Sequence, residues 1–124
     1  MPNALVIVRR RLDRLGMLLS GLCAVHCVLT LTLVALFGLG GGLLLDPAIH
    51  RIGLAVAIVV GAVAIGLGIF RHRRGAPLAI AVLGLSLMAL ALGVGHGPAE
   101  AIATIAGVSL VALAHWRNLR HLAR

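Results

Sequence analysis

Four stretches free of Asp, Glu, Lys and Arg dominate the chain: Gly16–Leu45, Ile52–Phe70, Gly75–Ala99 and Ala101–Trp116, of 30, 19, 25 and 16 residues. No water-soluble globule has enough polar surface to wet runs of that length. Soluble domains carry about a quarter charged residues, against 11% here, and the mean hydropathy is +1.14. The solvent that fits is lipid. A hydrocarbon core of about 30 Å needs roughly 20 helical residues per crossing. The 124-residue chain is therefore predicted to be an all-α membrane protein, one domain over residues 1–124, folded as a four-transmembrane-helix bundle.

The spans follow from the punctuation. The first stretch is too long for one simple crossing, and the glycines from Gly38 to Gly42 free the backbone to turn. Span one is placed at about 15–37 and residues 38–46 are read as a connection. Asp46-Pro47 has the form of a helix N-cap followed by proline at the first helical position, opening span two at about 47–70. Arg71-His72-Arg73-Arg74-Gly75-Ala76-Pro77 makes a short basic turn into span three, about 78–95. Gly95-His96-Gly97-Pro98 makes the second connection, and Pro98 with Glu100 opens span four, about 98–116, with Trp116 as an interfacial anchor. Small residues on spans two (Gly53, Ala57, Gly61) and four (Ala103, Gly107) read as helix-packing faces.

The formal charge of +8 invites a nucleic-acid reading, which the placement of the charge opposes. All eleven basic side chains of the Lys/Arg class are arginines, and ten lie in three clusters bordering apolar stretches: Arg9/Arg10/Arg11/Arg14, Arg71/Arg73/Arg74 and Arg117/Arg120/Arg124. Loops of membrane proteins are charged this way. The positive-inside rule puts all three clusters, and so both termini, in the cytoplasm, where they also suit anionic lipid head groups. The expected partners are the bilayer and a metal ion, with no nucleic acid. The N-terminal segment has the basic-then-apolar order of a signal peptide, but no small-residue cleavage site follows, so it is expected to remain.

One dense polar knot interrupts the apolar runs. In Leu22-Cys23-Ala24-Val25-His26-Cys27, about 100° per residue places Gly16, Ser20, Cys23, His26, Cys27 and Thr30 on one helical face. Cβ atoms at i and i+4 lie about 5–6 Å apart, so Cys23 and Cys27 can chelate one soft cation with His26 as a third donor. Thiolates suit Cu(I), Zn(II) and, by the same softness, Hg(II). The competing reading treats the cysteines as small buried apolar residues and His26 as hydrogen-bonded to a neighbouring helix. An ionisable residue within a span is a functional-site hypothesis by default. A disulfide between Cys23 and Cys27 fits poorly within one helical turn.

The other histidines lie at helix ends. Asp46, His50, His96 and Glu100 could gather near the starts of spans two and four as a cation entry site; the competing reading makes them ordinary interfacial polar residues. His72, His115 and His121 lie at the arginine-rich end, too far along the bundle for direct contact with Cys23. At the depth of Cys23, span three offers Met88, a thioether donor or a core filler. No paired carboxylates, phosphate loop or nucleophile motif points to an enzyme. A second function class, a membrane scaffold or a haem- or other-metal-binding subunit of a partner complex, would use the histidines as axial ligands.

The Cys/His knot in span one, His50 opening span two, His72 in the basic turn, and Ala114-His115-Trp116-Arg117-Asn118 closing span four together resemble the MerC family of mercury-resistance membrane proteins over nearly the whole chain. The resemblance implies a four-helix bacterial inner-membrane protein whose first-span cysteines take up mercuric ion outside and pass it inward. It makes Cys23 and Cys27 the thiol pair, with His26, His50, His72 and His115 as further candidate ligands. Two departures are visible: three residues rather than two separate the cysteines, and the C-terminus has no second cysteine pair. Delivery then implies an outside acceptor, such as a cytosolic thiol or a mercuric reductase. The small size and glycine-rich faces also suit a homodimer.

Overall fold

The computed structural model describes residues 4–38, 42–95 and 97–123. Four helices account for nearly all of them: α1 (Ala4–Phe37), α2 (Pro47–His72), α3 (Ala76–Val94) and α4 (Pro98–Leu122). Among the described residues there is no strand. Each helix is long and apolar enough to cross a bilayer. Part of the expected glycine connection, residues 39–41, lies outside the described residues, as do His96 and Arg124; Gly42–Leu45 forms one 3-10 turn.

Local chemistry sets the helix ends. Asp46 adopts an extended backbone and its Oδ1 accepts the Ala48 N–H at 2.9 Å, so one orphan donor of α2 is satisfied while Pro47 brings none. At the other end Arg73 turns into the left-handed region (φ 52°) and donates its N–H to Ile69 O at 2.8 Å. That bond ties off an orphan carbonyl although the capping residue is not glycine. Pro77 and Pro98 sit in the first turns of α3 and α4.

Two helices outrun the spans expected for them. α1 begins at Ala4, not near residue 15, and α4 continues past Trp116 to Leu122. Arginine is a good helix former, so charged residues that leave the hydrocarbon need not leave the helix. At 1.5 Å per residue, the 34 residues of α1 reach about 51 Å. Beyond the spans, the Arg120 guanidinium lies 4.8 Å from the Trp116 ring centroid, a cation–π pair where a membrane interface would be.

The bundle keeps small residues inside and large ones outside. Ala57, Ala64, Ala81, Ala91, Ala101 and Ala114 are buried, whereas Leu22, Val25, Val59, Leu90 and Ile102 are each more than half exposed. In water that arrangement would be costly; against acyl chains it is the favourable one, and packing then depends on close backbone approach. The approach is tightest where α3 crosses α4. A Cβ at Gly84 would lie 2.6 Å from Gly107 O, and one at Gly107 would lie 2.7 Å from Gly84 O. Of the small-residue faces expected, Gly107 makes such a contact, while Gly61 has open space around it.

Candidate metal site

The bundle places two polar clusters at different depths. The first is built on the sulfur-bearing face of α1. Cys27 is buried, and its Sγ stands 3.5 Å from Nε2 of His50 in the opening turns of α2. The other ring nitrogen of His50, Nδ1, lies 3.8 Å from Oε1 of Glu100, a buried carboxylate in the first turn of α4. His26 meets the same imidazole edge-on, with ring centroids 5.7 Å apart. Three helices thus converge on one cavity of about 130 Å³, lined by His26, Cys27, Thr30, His50 and Glu100 among others.

His26 Nε2 and Thr30 Oγ1 in that lining are shut off from solvent and have no hydrogen-bond partner among the described residues. Buried polar groups left unmade cost about 1–3 kcal/mol each, and Thr30 and His26 are placed to give that energy back to a guest. Cys23 does not share this cavity. Its thiol is half-buried, packs against the cluster of Met88, Val108 and Val111, and lies opposite Gly53, where a Cβ would sit 3.8 Å from Sγ. It borders a wider cleft of about 490 Å³ that also reaches His26, His50 and Met88. Both cysteines are free thiols.

Among the described residues no three His, Cys, Asp or Glu side chains are arranged to hold a metal ion together. At this cavity the geometry instead offers pairs, Cys27 with His50 at 3.5 Å and His50 with Glu100 at 3.8 Å. Of the entry site, His50 and Glu100 come together; Asp46 is exposed and spends its Oδ1 on the α2 cap.

The second cluster lies toward the arginine-bearing end, and its centre is a residue that the sequence reading passed over. Asp13 is completely buried. Its Oδ1 accepts a hydrogen bond from His115 Nδ1 at 2.9 Å, and Asn118 Nδ2 donates to both carboxylate oxygens at 3.1 and 2.9 Å. The same amide nitrogen reaches Ala64 O at 3.2 Å. Asn118 Oδ1 is met by His72 Nε2 at 2.9 Å, and His72 Nδ1 accepts the Arg74 N–H at 3.1 Å. The two contacts assign the His72 tautomer with its proton on Nε2. Gly16 makes room for the His115 ring and Gly68 for the Asn118 amide, since a Cβ at either would overlap them.

His72 and His115 therefore belong to this knot and not to the sulfur-bearing cavity. Gly16, against which His115 packs, is seven residues from Cys23, about 10 Å along α1. The signal for Asp13 was in the sequence: it lies three residues before Gly16 and seven before Ser20, so it continues the polar, small-residue face of α1 into the arginine cluster.

A family model described as MerC mercury resistance protein matches residues 13–120. The chain belongs to the MerC family. It is a multi-pass membrane protein of a family associated with mercury resistance. The MerC match opens on Asp13 and closes on Arg120, so both polar clusters fall within it. No curated protein and no solved structure matches the chain.

Proposed function

We propose that this MerC-family protein binds mercuric ion within the bundle and carries it across the bacterial inner membrane. The observation that carries the reading is the Cys27 thiol facing His50 across α1 and α2, in a cavity where the buried His26 Nε2 has no partner among the described residues. Thiolate sulfur is the donor that soft cations prefer, and imidazole is a suitable companion. Glu100 next to His50 supplies negative charge that an arriving cation would meet first. His72 and His115 are engaged elsewhere, so the proposed ligands are Cys27, Cys23, His26 and His50.

Thiols bind metal as thiolates, so uptake releases protons. Onward movement follows by ligand exchange: each metal–sulfur bond that forms replaces one that breaks, and the displaced thiolate takes up a proton. With the arginine clusters on the cytoplasmic side, the sulfur-bearing cavity opens toward the outside. A cytosolic thiol or a mercuric reductase would receive the ion.

The test is Hg(II) binding by protein purified in detergent, with proton release measured alongside. Cys27→Ser is expected to weaken Hg(II) binding by at least about a hundredfold, since hydroxyl oxygen is a poor ligand for a soft ion, with little change in melting temperature. Equal binding by Cys27→Ser and the parent would end the reading.

A further inference from the structure

The two cysteines face different spaces. Cys27 lines the smaller cavity with Glu100, whereas Cys23 lines the wider cleft with Met88, and His26 and His50 border both. The thiols lie four positions apart, about 6 Å along the helix axis, so the spaces follow one another in depth. Cys23 packs against the buried cluster that contains Met88, and Met88, although only 6% exposed, still forms part of the cleft wall. A thioether and a thiolate opening on one space are two soft donors, a set that selects Cu(I) and similar thiophilic cations.

We propose that Cys23 and Met88 form a second soft-ion station, one helical turn beyond the Cys27 cavity, with His26 and His50 as the wall between the two. This rests on the reading of the Cys27 cavity as a soft-metal site and adds a donor of a type that histidine and cysteine spacing does not reveal. A methionine that only fills space could be exchanged for leucine without effect on any ion. A methionine that ligates could not.

Two measurements on the full chain in detergent test the station, with Cu(I) as the probe under anaerobic conditions. In a Cys27→Ser background, which leaves Cys23 as the one thiol, Cu(I) affinity is measured by competition with a chromophoric chelator, with and without Met88→Leu. The added substitution is expected to weaken binding at least tenfold. Because Met88 packs against Gly107 and its replacement also alters that contact, the parent protein is also labelled at its methionine methyl groups with carbon-13. The chain has three methionines, and one equivalent of Cu(I) is expected to shift the Met88 methyl resonance while Met17 stays in place. Equal affinities with a stationary Met88 resonance, in protein that demonstrably holds Cu(I), would overturn the station and leave the Cys27 cavity intact. Parent protein that holds neither Cu(I) nor Hg(II) would overturn both.

Discussion

The two polar clusters are made of similar residues and end in opposite states. Around Asp13, carboxylate, amide and imidazole groups from α1, α2 and α4 are joined by hydrogen bonds of 2.9 to 3.2 Å. Around Cys27, the sulfur approaches the His50 nitrogen at 3.5 Å, and among the described residues His26 and Thr30 each keep a buried atom without a partner. A buried network that is fully joined rigidifies a fold and fixes one arrangement, whereas one left partly unjoined is costly to the empty protein. The comparison assigns the first cluster to holding helices in place and the second to receiving something.

Substitutions can break that contrast, and the largest effect is expected at Asp13. Asp13→Ala strands the His115 and Asn118 donors in a dry interior, and each buried donor left without its acceptor costs about 1–3 kcal/mol, so the loss exceeds that of a single bond. Thermal melting in detergent should show it as a steep loss of stability or of folded yield. An unchanged melting temperature would show that the knot does not hold the bundle. His72→Leu removes one arm and leaves Asn118 Oδ1 unmatched, so a smaller loss of about 1–3 kcal/mol is expected by the same measurement.

The smallest stability effect, and the one that sharpens the contrast most, is expected at the other cluster. His26→Leu replaces an orphaned buried nitrogen with carbon. It should leave stability unchanged or raise it by up to about 1 kcal/mol, the direction expected where a functional group is held at the expense of the fold, while Hg(II) affinity falls. A loss of stability at His26 comparable to that at Asp13 would erase the distinction between the two clusters.

Much of the architecture was legible in the sequence because it depends on local chemistry. Charge-free runs gave four helices, Asp46-Pro47 gave the start of α2, and the positions of Pro98 and Glu100 gave the start of α4. The site was legible only as a face. Helical spacing gathers Cys23, His26 and Cys27 to one side of α1, but it carries no information about which neighbour each meets, and the structure parts them between a cavity and a cleft. Asp13 was hidden for a related reason. Among four arginines it reads as solvated charge, and its partners His115 and Asn118 lie more than a hundred positions away in the chain. The early start of α1 was obscured too, because a hydrophobic run marks where lipid ends and not where the helix does.

The unbroken length of α1 has a mechanical corollary. Asp13 and Cys27 ride on the same continuous helix, fourteen residues or about 21 Å apart, with no proline between them. The knot fixes α1 against α4 near one end of that segment, and the thiol stands at the other. The register that Asp13 imposes on α1 through His115 and Asn118 is therefore also the register at which Cys27 meets His50.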